Sequence, residues 1–164
     1  VGGQDVATIR QLVEHSAKVG TLKPDVQQQI SSLIDLGAMP IAALLAEGTV
    51  PAHVTEGATV ADVREAATRS GHLRILVLGT KDAAPMVVHL RDTLLEPDTR
   101  PAHELARPAF LLDAQTPVYE ALTRMRKSSV QLAVIMTDGQ MRGVVTLADI
   151  LPRILPDPSH RQNR

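Results

Sequence analysis

The sequence predicts an α/β protein built from two copies of one small unit behind a helical hairpin, and three observations lead there. "TVADVREAATRSGHLRILVLGTKDAAPMVVHLRDTLL" (59–95) runs in step with "TPVYEALTRMRKSSVQLAVIMTDGQMRGVVTLADIL" (116–151), the self-similarity of a repeat. Each copy holds apolar runs too short for helices and rich enough in branched residues for covered strands. The first forty residues carry helical periodicity instead.

In chain order, "DVATIRQLVEHSAKVG" places Val6, Ile9, Leu12 and Val13 on one face and stops at Gly20, a natural helix end. Pro24 opens a second helix, "DVQQQISSLIDLG", patterned through Val26, Ile30, Leu33 and Leu36. Its apolar face serves either simple packing against the rest of the chain or a partner. "AHV" (52–54) is a short extended piece, and Thr59 with Asp62 three residues on has the spacing of a capping box. Val60, Val63 and Ala67 give the following helix one apolar face, "ILVL" (75–78) and "MVV" (86–88) read as strands around the polar turn "KDAAP", and "HLRDTLL" closes the unit as a helix. Pro97, Pro101 and Pro108 punctuate the connector. The second copy repeats the plan: "AFLL" (109–112), a helix capped by Thr116 with Pro117 first and Val118, Leu122 and Met125 inward, "LAVIM" (132–136), the turn "TDGQ", "GVV" (143–145) and a helix in "TLADIL". The predicted organisation is a hairpin over 1–40, a first repeat over 41–100, a second over 101–156 and a frayed tail over 157–164. A unit of this size is marginal alone, so the two should pack into one compact module.

Composition narrows the function. The 164 residues carry 17 basic and 18 acidic side chains, a net charge of −1, and the only aromatics are Phe110 and Tyr119. Neither an electrostatic footprint nor a stacking platform for nucleic acid is present. The chain has no cysteine, hence no disulfide, thiol nucleophile or thiolate metal site, which fits a reducing compartment. Its longest apolar runs, "IAALLA" and "LAVIM", fall far short of the roughly 18 residues of a membrane span. The first residue is Val, and no charged n-region precedes an apolar h-region, so a fragment of a longer chain is expected rather than a secreted one.

Chemistry concentrates at "VVTLADIL", where a buried strand runs into a helix with Thr146 and Asp149 three apart. The pair has two readings. As a capping box it ties off the helix start. As a site, Thr146 adds a hydroxyl to the N–H groups that a helix start offers a phosphate, and Asp149 accepts hydrogen bonds from a sugar diol. The first copy has His89 and Asp92 in these places, so its hydroxyl is lost and the second copy is better equipped. No reactive set for an enzyme can be assembled: there is no G-x-S-x-G, Walker A loop or H-E-x-x-H, and His15, His53, His72, His89, His103 and His160 share no helical spacing. His89 and Asp92, one turn apart, make a poor metal site. No catalytic residue and no metal ligand is therefore assigned.

Two copies that each end in an apolar pair, then a residue three before an Asp, resemble a pair of CBS domains, named after cystathionine β-synthase. More narrowly, the hairpin "IRQLVEHSAKVGTLKPDVQQQI", the corner "SGHLRILVL" and "LAVIMTDGQMRGVVTLADILPRI" are similar to the cytosolic region of CorC-like and cyclin M (hemolysin-like) transporters, over nearly all of residues 5–155. The resemblance implies a CBS dimer and an adenine nucleotide, ATP or AMP and often with magnesium, in the cleft between the copies. It also implies an upstream transmembrane domain joined through the hairpin, and a place on the cytoplasmic face of the cell membrane. Carried over by position, Thr146 and Asp149 take phosphate and ribose, Arg74 reaches phosphates, and His72 stands where relatives often have an aromatic beside the base. Arg74 reads equally as an edge-strand cation and His72 as a turn residue. Where relatives carry a Met-Thr-Pro-Arg-like segment this chain reads "LAEGT" (45–49), with Glu47 expected to oppose a polyphosphate, and the glycine-rich turn of the second copy is shortened to "TDGQMRG". Three functions follow: a nucleotide sensor biasing ion movement, a purely structural dimerisation module, or a free-standing pair serving a soluble partner.

Overall fold

A computed structural model describes residues 2–154, with side chains from residue 7 onward. The expected tail (157–164) and the side chain of Val6 lie outside the described residues. Two helices, α1 (Gly2–Lys18) and α2 (Pro24–Ala38), form the hairpin. Gly20 at φ +77° takes the left-handed turn between them, and Arg10 pairs with Asp35 across them at 2.7 Å. The predicted inward faces are only half used. Val13, Val26, Ile30 and Leu36 are half-buried, whereas Ile9, Leu12 and Leu33 stay exposed.

The first copy is β1 (His53–Thr55), α3 (Val60–Ser70), β2 (Arg74–Leu78) and β3 (Met86–His89), and the second is β5 (Phe110–Asp113), α4 (Val118–Lys127), β6 (Leu132–Thr137), β7 (Gln140–Thr146) and α5 (Leu147–Ile154). β1 runs parallel to β2 and β5 parallel to β6, while β2–β3 and β6–β7 are antiparallel hairpins. The β6–β7 turn sets Asp138 and Gly139 both at positive φ (50° and 75°), the geometry that suits the twist of a two-residue hairpin. Thr59 caps α3 as expected, its N–H donating to Asp62 Oδ2 at 2.9 Å. α4 begins one residue later than expected, with Pro117 in the cap position.

The segment before each copy docks on the other copy. Met39–Pro40–Ile41 precedes the first repeat yet joins the second: Ile41 N–H donates to Thr116 O, Val118 N–H to Met39 O, and Pro40 bridges Pro117. Ile41 and Leu44, in a 3-10 turn over Ile41–Leu44, belong to the second copy's core with Leu112, Val118, Met125, Ile135 and Ile150. Arg100–Pro101–Ala102 does the same to the first copy: Ala102 N–H donates to Ala58 O, Val60 N–H to Arg100 O, and Thr59 bridges Pro101. Ala102 enters the core of Val63, Ile75 and Val88, and β4 (Arg107–Pro108) extends the sheet beyond β3. The four-stranded sheet (β1-β2-β3-β4) thus gains β4 from beyond its own repeat, while the three-stranded sheet (β5-β6-β7) is built within its repeat and takes Ile41 and Leu44 from outside into its core. Burying Ile41 alone is worth about 1.5–3 kcal/mol, so the exchange ties the copies together.

One predicted helix is absent. "HLRDTLL" forms only a 3-10 turn over Leu90–Thr93, because the chain beyond it is drawn to α3 instead of continuing helical. Half-buried Arg64 donates to the carbonyls of Thr93 and Glu96 and pairs with Asp98.

Candidate functional site

The register of the two hairpins defines which residues correspond. Arg74 opposes His89 at the start of β2, and Leu132 opposes Thr146 at the start of β6, so His89 and Thr146 occupy equivalent corners. At the second corner both halves of the capping box are made: Thr146 N–H donates to Asp149 Oδ2 at 2.9 Å, and Asp149 N–H donates to Thr146 Oγ1 at 3.2 Å. At the first, the ring of His89 does the capping, its Nδ1 accepting from Arg91 N–H at 3.1 Å. Burial, then the neighbouring Arg74 and Arg91 guanidiniums, lower the His89 pKa from its usual 6.5, so the ring stays neutral and suited to that acceptor role.

Capping does not exhaust the Thr146–Asp149 pair. The Thr146 oxygen accepts within the cap, but its O–H remains a donor. Asp149 commits one carboxylate oxygen to Thr146 N–H, and the other remains an acceptor. The two sequence readings are therefore chemically compatible.

Thr146, Asp149, Arg74 and His72 all line one cavity of about 550 Å³. Its walls are the corner before β2 from the first copy, β7 and the first turns of α5 from the second, and the connecting segment from Leu44 to Ala52. The volume lies within the range of ligand pockets, about 300–1,000 Å³. Leu44, Leu45, Val50 and Leu73 supply an apolar side, and Arg74, Arg142 and Arg153 a cationic one. Among the described residues none of these three arginines has an ion-pair partner within 4.0 Å. Glu47, expected to face a polyphosphate, is exposed and not among the lining residues; Leu45, Ala46 and Thr49 of the same segment are. The Glu47 side chain is therefore not part of the cavity wall, although its chain neighbours are.

Sequence reasoning missed Arg142 and Arg153. The signal was present, since counting back by two from Thr146 through Val144 along a strand reaches Arg142, and four onward from Asp149 along a helix reaches Arg153. Arg142 also sits in a bulge, where the pairing steps from Ile135↔Gly143 to Met136↔Met141 and leaves Arg142 unopposed, a device that re-aims a side chain. Beside it, a Cβ on Gly143 would meet Leu45 Cδ2 at 3.0 Å. Glycine is what lets the connecting segment lie against β7. Among the described residues no group of three or more His, Cys, Asp or Glu is placed to hold a metal.

Known proteins share this fold. The CBS domain family model matches residues 102–156. A UPF0053 protein of Mycobacterium tuberculosis is 26% identical over 156 residues, covering 90% of this chain and 36% of that protein. UPF0053 protein YegH of Escherichia coli is 24% identical, covering 92% and 29%. The chain thus spans about a third of the length of these relatives. Among solved structures, the CBS domain of a bacterial CNNM/CorC family Mg2+ transporter superposes with a TM-score of 0.73 at 19% identity, covering 92% of this chain and 98% of that one. The complex of such a domain with ATP gives 0.68 at 21% identity over 80% and 97%. A CBS domain protein from Pyrobaculum aerophilum complexed with AMP gives 0.61 at 22% over 71% and 98%. Residues 102–156 thus match the CBS domain family, and the chain as a whole has the fold of a CNNM/CorC-family CBS domain and is similar in sequence to UPF0053 proteins.

Proposed function

We propose that this chain is the regulatory, adenine-nucleotide-sensing part of a longer membrane ion transporter of magnesium or cobalt type, acting as a homodimer on the cytoplasmic face. The observation that carries the proposal is the single cavity in which Thr146, Asp149, Arg74 and His72, drawn from two different repeats, stand together. In it the free O–H of Thr146 and the arginines take phosphate, the free oxygen of Asp149 takes the ribose diol, and the apolar side with His72 takes the base. Support comes from neighbours of the same fold solved with ATP and with AMP. Relatives about three times as long as this chain leave room for the membrane domain. No described helix is itself long and apolar enough to cross a membrane.

Regulation requires that the ligand touch something leading elsewhere. The segment Leu44–Ala52 lines the cavity and continues backward through Met39 into α2, whose Gly37 lies against Tyr119 of α4. A nucleotide that fixes this segment fixes the exit angle of the hairpin. The structural reading, a module that binds nothing, draws on the completed Thr146–Asp149 cap, which needs no ligand. Hydrogen exchange with and without saturating ATP separates the two. Sensing predicts slowed exchange at amides 44–50 and 146–149, carried into 24–38. Exchange unchanged throughout would favour the structural module, and protection confined to 146–149 would remove the route to the hairpin.

A further inference from the structure

Three arginines and one acidic residue line the cavity. Arg74 opens β2, Arg142 is turned by the β7 bulge, and Arg153 shares the helical face of Asp149, so the three cations come from three separate elements. Asp149 is the only acidic lining residue, and its Oδ2 already accepts from Thr146 N–H. A terminal phosphate carries a charge of roughly −1.5 to −2 at neutral pH, which two arginines balance, so a third has work only if the ligand brings more phosphate. A magnesium ion riding on a polyphosphate is ordinarily held by one or two protein carboxylates as well as phosphate oxygens. Here the one carboxylate has a single free oxygen, which the ribose diol takes, and three fixed cations oppose a fourth. Arginine forks also supply the bidentate oxygen recognition that a bound cation would otherwise organise.

Resting on the adenine-nucleotide reading above, we propose that Arg74, Arg142 and Arg153 form an anion clamp that selects nucleoside polyphosphates over monophosphates and holds them without a divalent cation. The arginines replace the metal as the neutralising charge.

Isothermal titration of the 164-residue chain with ATP and AMP, each in EDTA and in excess magnesium, tests this directly. The clamp predicts ATP binding in EDTA about tenfold or more tighter than AMP, and weaker ATP binding when magnesium is added. Arg142→Gln and Arg153→Gln, both at exposed positions, should each weaken ATP by about five- to tenfold, and together they should cost ATP more than AMP, so that the ATP-over-AMP preference narrows. Equal affinity for ATP and AMP, or ATP binding seen only with magnesium, would overturn the clamp while leaving the adenine site standing. Binding of neither nucleotide under any condition would overturn both.

Discussion

The two repeats share a plan and finish it differently. In the second copy, α5 completes the unit and drives Ile150 fully into the core. In the first, the equivalent position is Thr93, equally buried, with its hydroxyl turned back onto Leu90 O at 2.6 Å and its carbonyl held by Arg64. Where Arg64 stands, the second copy has Leu122. One copy closes with a hydrophobic helix, the other with a cationic staple on an irregular connector. The corner residues follow suit. His89 caps through Nδ1 and keeps its donor on the far side of a bulky ring, at Nε2, whereas Thr146 caps and keeps a compact hydroxyl donor at the corner itself. The lesson is that a repeat can lose its final helix without losing its core, provided that a buried polar group replaces the apolar anchor and every hydrogen bond is made. What it loses is the ordered helix start that builds a ligand corner.

That contrast can be broken from either side. The largest expected effect is in the second copy: Ile150→Ala should cost about 2–5 kcal/mol, as a cavity-forming deletion at a fully buried site, read as a lower urea midpoint. Arg64→Ala should cost about 1.5–3 kcal/mol, because it strips hydrogen bonds from a charged donor and leaves the Thr93 carbonyl bare in the interior; a loss below about 0.5 kcal/mol would mean that the connector stands without its staple. The smallest effect is the pH dependence set by His89. Its folded pKa lies below 6.5, so as pH falls through 6.5 the unfolded chain takes up the proton first, and stability declines until the folded ring is also protonated. His89→Asn should flatten that slope in melting temperatures collected between pH 7 and pH 5, and an unchanged slope would assign the effect elsewhere.

Much of this was legible in the residues. The helices follow from apolar spacing, the strands from branched runs, and the repeat from the marching of 59–95 and 116–151. The exchange of leading segments was not, because Met39–Pro40–Ile41 and Arg100–Pro101–Ala102 carry no periodicity, and their partners lie across the module. Nor was the missing helix: "HLRDTLL" and "TLADIL" look alike locally, and the decision is tertiary, resting on Arg64 and on a Thr where the second copy has Ile150. The corner residues Thr146 and Asp149 were visible as a spaced pair. The cationic wall went unread although Arg142 and Arg153 fall in step with Thr146 and Asp149, because spacing alone does not say which strand face and helical face meet the cavity.

The central claim, that the second copy's corner and not the first's receives the nucleotide, is tested most directly by paired melting curves of Asp149→Ala and Asp92→Ala, each with and without ATP. At a hundredfold excess over Kd, ligand should add about 2.7 kcal/mol to the native chain, a rise of about 5–11 °C for a domain near this size. The account predicts that Asp92→Ala keeps the rise and Asp149→Ala loses it. A rise that survives Asp149→Ala and vanishes in Asp92→Ala would contradict it.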